Sequence, residues 1–156
     1  MEVRKFKKGE EEELWKLFYN TVHRVNAQDY EGVQIAAWAP DDLDINIAIQ
    51  KFREINPFVV IHEGKIVGYA DIQSDGYIDH FYCHHQFQGQ GVGRRLFTAL
   101  EKEARVNGIL EMYSNVSITA RSFFEAMGFS VEKEQVVQVR DQQLKNYRMV
   151  RRYDHS

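Results

Sequence analysis

The stretch Gln88-Gly89-Gln90-Gly91-Val92-Gly93 determines which fold this sequence predicts. It follows an apolar segment that ends near Cys83, and it opens a segment with Val92, Leu96 and Leu100 at helical spacing. The first turn of a helix has backbone N–H groups without partners and a partial positive charge, so it can bind anions. Glycines let a phosphate approach the backbone closely. The sequence therefore predicts a phosphate site between a strand and a helix.

Two arginines, Arg94 and Arg95, follow in the first helical turn. Cations at this end oppose the helix dipole, so their placement favours a bound anion. A glycine-rich turn with two solvated arginines is the alternative explanation. Two other nucleotide motifs are excluded, because the dinucleotide motif G-x-G-x-x-G would need glycine where Arg94 stands, and the Gly-Lys-Ser/Thr ending of a P-loop does not occur.

Composition predicts one globular domain over residues 1–156, with 44% hydrophobic residues. The net charge of −3 argues against nucleic acid as a partner. No run of about 18 apolar residues is present, which excludes a transmembrane helix and a membrane partner. The N-terminal sequence does not resemble a secretory signal. The one cysteine, Cys83, is typical of a reducing compartment, so we expect a cytoplasmic protein.

Hydrophobic periodicity predicts a mixed α/β fold. The period changes from helical to alternating at Pro57, and an Asp75-Gly76 turn precedes a third strand of a meander. Helices are expected at 10–25, 30–38, from an Asp41-Asp42 cap to 52, from 92 to Asn107-Gly108, and at 118–127. Strands are expected at 3–6, 58–61, 66–72, 77–83, 109–113, 129–139 and 144–150.

Two segments resemble the GNAT superfamily of N-acetyltransferases. The first is the glycine stretch preceded by Phe81-Tyr82-Cys83, and the second runs from Ser117 to Phe129, with an aromatic pair before Gly128-Phe129. Residues that resemble a bacterial YafP-like subgroup are Asp29-Tyr30, Gln34, Ala37-Trp38-Ala39-Pro40 and Ser117-Ile118-Thr119-Ala120. The resemblance implies an α/β (α+β mixed) fold with a central, mostly antiparallel, splayed sheet of six to seven strands and about four helices.

The resemblance also implies acetyl-CoA as the acyl donor, with no metal. The backbone amides of 89–94 would hold its pyrophosphate, and Phe81-Tyr82-Cys83 would bind the pantetheine arm as if it were an added strand. The cofactor-binding residues implied in this way are Phe81, Tyr82, Cys83, Gln88, Gly89, Gln90, Gly91, Val92, Gly93, Arg94, Ser117, Phe123 and Phe124.

The catalytic groups are harder to assign. Many relatives place a tyrosine acid four residues before the glycine of the second segment, where this chain has Phe124. Either the thiolate leaves unassisted or another tyrosine, Tyr147 or Tyr113, protonates it. Asp79 is the candidate base, because an acid inside an apolar strand needs a reason; pairing with a local group is the alternative. The histidines 80, 84 and 85 lack a usual ligand spacing, which argues against a metal.

The acceptor side is expected at the N-terminal helices. Tyr30, Gln34 and Trp38 are spaced i, i+4, i+8, so they would share one helix face and form a pocket wall; core packing is the alternative for Trp38. The acidic N-terminal half favours a cationic acceptor. The sequence thus predicts direct acetyl transfer from acetyl-CoA to a primary amine of a small molecule or peptide, by a monomer or homodimer. The alternative is a non-catalytic acyl-CoA-binding sensor or regulatory module.

Overall fold

The computed structural model describes residues 1–153, which form five α-helices and eight strands. The helices are α1 (Glu11–Arg24), α2 (Gly32–Trp38), α3 (Ile45–Ile55), α4 (Val92–Val106) and α5 (Arg121–Ala126). The strands are β1 (Glu2–Lys5), β2 (Phe58–His62), β3 (Lys65–Ala70), β4 (Tyr77–Ile78), β5 (Phe81–Cys83), β6 (Glu111–Ser117), β7 (Ser130–Val139) and β8 (Gln142–Arg152). The expected mixed α/β architecture is confirmed.

The strands form two four-stranded sheets, in the orders β1-β2-β3-β5 and β4-β6-β8-β7. All pairings are antiparallel except that of β4 with β6. The sequence predicts a single strand over 77–83, but two strands are present, and they belong to different sheets. This split raises the number of strands to eight, and it creates the splay that the resemblance implies.

The break between β4 and β5 is held by Asp71, which follows β3. Its buried carboxylate accepts the backbone N–H groups of Asp79 (3.1 Å) and His80 (2.6 Å), and Gln73 Nε2 donates to it at 2.7 Å. Two consecutive N–H groups therefore bond to a side chain instead of continuing a ladder. The chain changes neighbours at this point, from β6 to β3.

Two hydrophobic cores lie on opposite faces of the sheets. One contains the apolar stripe of α4, Leu96 and Leu100 among others, with residues of β6, β8 and α5. The other contains Leu14 and Phe18 of α1, Phe52 of α3 and Tyr69 of β3. The amphipathic helices that the sequence predicts are thus arranged with α4 on one side and α1 to α3 on the other.

Three helix starts differ from the sequence expectation. Asp44, not the Asp41-Asp42 pair, caps α3, because its carboxylate accepts Asn46 N at 3.0 Å. Helix α5 begins at Arg121 rather than 118, since Ser117 Oγ accepts Ala120 N in a preceding turn. Tyr30 lies before α2 and not within it. Within residues 1–153, no helix is both long and apolar enough to cross a membrane.

Candidate active site

A gap opens between β5 and β6 because the pairing of β4 with β6 stops at Ile78 and Ser114. Ser114 Oγ donates to Ile78 O at 2.8 Å, which closes the narrow end. Beyond this point β5 pairs only with β3, and β6 pairs only with β8. A cavity of about 350 Å³ fills the gap, and we call it the first cavity. Its lining includes twelve of the thirteen implied cofactor residues, all except Gln90.

The N-terminus of α4 forms one end of the first cavity. The first intrahelical bond of α4 runs from Arg95 N to Gly91 O (3.2 Å), so the N–H groups of Val92, Gly93 and Arg94 have no acceptor within the helix. These three residues line the cavity, and the Arg94 side chain adds a positive charge. The arrangement provides donors and positive potential for an anionic group.

Two glycines of the loop have steric reasons to be glycine. Gly91 has φ +84°, a left-handed conformation that residues with a side chain rarely adopt. A Cβ on Gly93 would lie 2.8 Å from Phe123 Cζ, because the Phe123 ring packs against the Gly93 backbone. Both positions keep the backbone at the cavity free of side-chain atoms.

The edge of β5 directs backbone groups into the gap. His80 O accepts from Asp71 N, and His84 N donates to Val67 O, so the even-numbered residues bond towards β3. Alternation along an antiparallel strand then turns the N–H and C=O groups of Phe81 and Cys83 towards β6. Cys83 O already accepts Thr21 Oγ1 (2.9 Å) and Gln88 Nε2 (2.8 Å). The remaining groups can pair with an extended ligand.

The Cys83 side chain offers no reactive nucleophile. Burial raises the pKa of its thiol to about 12. A thiol with this pKa is protonated at neutral pH, and the thiolate is the nucleophilic form. The structure therefore favours a structural role for the Cys83 side chain.

A second cavity of about 270 Å³ adjoins the first on the side of α2 and the β7–β8 hairpin. Five residues line both cavities and mark the opening between them: Trp38, Asp79, Tyr82, Asn115 and Ser117. Two ligands that approach from opposite sides would meet at this opening.

Asp79, the candidate base, lies at the opening and is paired. Its Oδ2 is 2.5 Å from Lys51 Nζ of α3. Burial lowers the pKa of Lys51, but the hydrogen bond and the charge of Asp79 outweigh burial and raise it above the usual value. The local pairing that the sequence left open as an alternative is therefore present. Asp79 is thus paired with Lys51 and also lines both cavities.

His80 lines the second cavity as a neutral imidazole. Its Nδ1 is 2.9 Å from Tyr69 Oη, and its ring packs against Phe18 and Phe52. Burial lowers the pKa of His80 to about 4, so it carries no charge at pH 7. Within residues 1–153 no three His, Cys, Asp or Glu residues are grouped as metal ligands.

The three residues expected to form the acceptor wall do not all line the second cavity. Tyr30 and Trp38 line the second cavity, with ring centroids 5.4 Å apart. Gln34 lies outside both cavities: its Oε1 accepts Glu31 N in a capping box, and its Nε2 donates to Gln143 O at 2.8 Å. A polar residue in the middle of this stripe therefore has a structural explanation that the spacing alone does not reveal.

Tyr147, a candidate acid, and Phe124, which stands where many relatives carry the acid, also differ in position. Tyr147 is buried outside both cavities, and the Arg121 guanidinium lies 4.5 Å from its ring centroid. Because this residue lines neither cavity, its role as an acid stays a prediction that its placement does not support. Phe124 lines the first cavity in a ring cluster with Phe81 and Phe123, and it has no proton to donate.

Several residues of the site were missed at the sequence level. Thr21 and Asn26 are buried polar residues of the first cavity, and Asn26 Nδ2 donates to Ser117 Oγ at 3.2 Å. A threonine in the buried stripe of α1 was the available signal. Asp71 interrupts an apolar strand as Asp79 does, and the same argument would have found it. Lys51 and the hairpin residues of the second cavity carry no local signal, since only the tertiary structure brings them close.

These features define a class of protein with an open strand edge, a glycine-rich anion site and an adjoining second cavity. Residues 26–150 match the family model described as Acetyltransferase (GNAT) domain. The chain therefore belongs to the GNAT acetyltransferase family, an enzyme family, and the resemblance noted in the sequence is confirmed.

Three relatives illustrate the similarity. The uncharacterized N-acetyltransferase YafP of Escherichia coli (strain K12) is 28% identical over 149 residues, which cover 96% of this chain and 94% of YafP. A GCN5-related N-acetyltransferase from Rhodopseudomonas palustris superposes with a TM-score of 0.93 at 25% identity, covering 97% of this chain and 95% of that one. The PaiA N-acetyltransferase of Thermoplasma acidophilum, solved with coenzyme A, has a TM-score of 0.75 at 19% identity and covers 97% and 98%.

Proposed function

We propose that this chain transfers an acetyl group directly from acetyl-CoA to a primary amine. The observation that carries the proposal is the unpaired edge of β5, which begins at the N–H groups of α4 and ends at the second cavity. A long ligand with an anionic part and an amide-containing arm fits such a site. The coenzyme A complex of the structurally similar PaiA protein supports this reading.

The residues of the first cavity divide the binding of the donor between them. The N–H groups of Val92, Gly93 and Arg94 hold the pyrophosphate, together with the rest of the loop from Gly89. The gap-facing N–H and C=O groups of Phe81 pair with the pantetheine arm as an added strand would, and the Cys83 N–H remains for the thioester end. The donor supplies an acetyl thioester, and the rings of Phe123 and Phe124 exclude water around it.

Transfer forms an N–C bond and breaks the C–S bond, and one proton leaves the amine. The amine must be neutral to attack, so Asp79 accepts this proton through a water molecule. The Cys83 N–H donates to the carbonyl oxygen on which charge develops. These roles need no acyl-enzyme, which agrees with the protonated thiol of Cys83.

The Ser117 hydroxyl is the group best placed to donate a hydrogen bond to the departing thiolate, which then takes its proton from solvent. Asn26 Nδ2 (3.2 Å) and Ala120 N (3.1 Å) both donate to Ser117 Oγ, so its own hydrogen can serve a third acceptor. Ser117 also lines both cavities, where donor and acceptor would meet. This assignment replaces the tyrosine that is missing at Phe124.

The same fold as a non-catalytic acyl-CoA sensor is the second candidate. It is favoured by Phe124, which lacks the phenol that many relatives carry at this position. For either function we propose a single domain over residues 1–156, monomeric or dimeric, in the cytoplasm, where the lone Cys83 stays reduced.

Purified protein mixed with acetyl-CoA and a panel of amines separates the two candidates. The enzyme releases free thiol above background with at least one amine, and the amine gains an acetyl group. Tight cofactor binding without thiol release for any amine would leave the sensor.

Gly91→Glu tests the loop by calorimetry, because its side chain and charge should abolish coenzyme A binding while the circular dichroism spectrum is kept. Asp79→Asn with an unchanged pH–rate profile would remove Asp79 as the base.

A further inference from the structure

We propose that the acceptor is a small primary amine with an apolar or aromatic body and no second positive charge. This inference rests on the proposed function and narrows its acceptor class. It concerns the second cavity, whose charges, walls and size each restrict what can bind.

Besides two tyrosines, the ionisable side chains that line the second cavity are Asp79, His80 and Lys145, and none leaves a net charge. Asp79 pairs with Lys51 at 2.5 Å, and Lys145 Nζ is 3.1 Å from Glu134 Oε1. His80 is neutral at pH 7. A second ammonium group would therefore lose its hydration without gaining an unpaired carboxylate, which is unfavourable.

The acidic N-terminal half does not change this balance. Glu10 pairs with Arg4 at 2.8 Å, and Glu11 pairs with Arg53 at 2.7 Å. Two acids of this half are thus neutralised by partners, and none of the acids in residues 1–78 lines the second cavity.

Rings and aliphatic side chains form two walls of the second cavity. Phe18, Trp38 and Tyr82 present rings on one side, and the hairpin side contributes Val137, Val139 and Leu144. Flat or aliphatic bodies gain from burial against these two walls.

The polar groups of the cavity suit one amine. Asn146 Oδ1 is buried, and no residue of the described chain donates to it. A buried acceptor without a donor is costly, so a ligand N–H satisfies a need of the protein. Asn146 lines the second cavity, so its Oδ1 can accept a hydrogen of the amino group of the ligand.

Size and closure argue against a peptide. A volume of about 270 Å³ corresponds to roughly nine water-sized groups at about 30 Å³ each. Residues 26–38, which we call the strap, are tied to the β7–β8 hairpin beside the second cavity. Tyr30 Oη donates to Lys145 O (2.6 Å), Gln34 Nε2 donates to Gln143 O (2.8 Å), and an Arg140 guanidinium donates to Ala37 O. Tyr30 and Lys145 line the cavity, so a peptide chain that passes between the strap and the hairpin there would have to break the bond between them.

Calorimetry on the full chain saturated with coenzyme A tests the proposal without turnover. The probes are 2-phenylethylamine, 1,4-diaminobutane and a pentapeptide with a free N-terminus. We expect 2-phenylethylamine to bind at least ten-fold more tightly than either of the others. Equal affinities, tighter binding of the diamine or peptide, or no binding of 2-phenylethylamine would each overturn the proposal.

Two variants test charge as the cause. Lys51→Met leaves the Asp79 carboxylate unpaired, so the diamine should gain at least ten-fold in affinity relative to 2-phenylethylamine. The double variant Lys51→Met/Asp79→Asn removes both charges, and its ratio should return to within about three-fold of the wild-type ratio. A gain that persists in the double variant would show that packing, not charge, sets the preference.

Thiol release measured in parallel separates this inference from the proposed function. Selective binding of 2-phenylethylamine without thiol release would uphold the acceptor class and reject catalysis. Thiol release that is fastest with the diamine or the peptide would uphold catalysis and reject the acceptor class.

Discussion

The carboxylate of Asp71 accepts the backbone N–H of His80 at 2.6 Å, and this bond lies where the chain leaves one sheet for the other. The same carboxylate accepts Asp79 N, so it fixes the two residues between β4 and β5. The gap that forms the candidate active site begins immediately after them. A buried acid on a neighbouring strand therefore positions the site without lining either cavity.

Asp71 should make stability fall as the pH rises from about 4 to 7. Burial is the largest cause that raises the pKa of Asp71, from 3.8 to about 6, and the Asp79 charge adds to it. The folded state thus binds the proton more tightly than the unfolded chain. The contribution of Asp71 to stability is therefore complete below the pKa of the unfolded chain, and it is lost as the pH rises through about 6. At about 1.4 kcal/mol per pKa unit, the loss is roughly 3 kcal/mol.

Asp71→Asn cannot ionise, so this pH-dependent loss should disappear from the free energy of unfolding measured in urea. The comparison is made as the difference between variant and wild type at each pH, since Lys51, Asp79 and His80 nearby remain in both. Asp75→Asn is the control: the Tyr113 hydroxyl lowers the pKa of this exposed acid, so its contribution is lost as the pH falls. A wild-type-like pH dependence in Asp71→Asn would contradict the argument.

Gly93→Ala should weaken cofactor binding more than it weakens the fold. The new Cβ would lie 2.8 Å from Phe123 Cζ, and the ring can move only by shifting within the first cavity. Overpacking of this kind costs about 1–3 kcal/mol, so we expect the Kd of coenzyme A to rise by about ten-fold or more. Gly32→Ala is the matched control, because nothing lies within 4 Å of its Cβ. Equal Kd values for the two variants would refute the steric explanation.

The sequence predicts the parts of this site that depend on neighbours along the chain. The glycine loop and α4 follow from local spacing, and the same holds for the β7–β8 hairpin. The split of the 77–83 segment was not predicted, because it depends on Asp71 and on a parallel pairing with β6. The Lys51–Asp79 pair and the contact of Gln34 with Gln143 are also long-range, so helical spacing assigned Gln34 to the wrong surroundings.

Ser117→Ala should lower kcat by about ten-fold or more if the hydroxyl stabilises the departing thiolate, since a hydrogen bond to a charged group contributes about 1.5–3 kcal/mol. The backbone of Ser117 stays in β6, so the Kd of coenzyme A should change less than about three-fold. Ser117→Thr keeps a hydroxyl at the same place and should recover most of the rate. Quenched-flow measurement of thiol release checks all three proteins. A rate for Ser117→Ala close to that of wild type would mean that the thiolate leaves unassisted.

Tyr30→Phe should loosen the strap while keeping its aromatic contact. The phenol donates to Lys145 O at 2.6 Å and accepts Ile118 N at 3.0 Å, whereas the ring packs on Trp38. Loss of the hydroxyl removes both bonds, and water can replace the exposed bond to Lys145 O, so the free energy of unfolding should fall by about 1 kcal/mol. The KM of a small amine should rise several-fold, and the Kd of coenzyme A should stay within about three-fold, because Tyr30 lines only the second cavity.

The control for this variant is Tyr19→Phe, whose hydroxyl bonds to Asp41 at the surface and lies outside both cavities. It should leave the KM of the amine unchanged. A second measurement uses the pentapeptide: if the hydrogen bonds of the strap exclude peptides, Tyr30→Phe should bind the pentapeptide more tightly than wild type does, although it binds the small amine less well. A parallel loss of affinity for both ligands would instead mean that Tyr30 shapes the cavity without restricting access, and peptide exclusion would then have to come from the cavity volume alone.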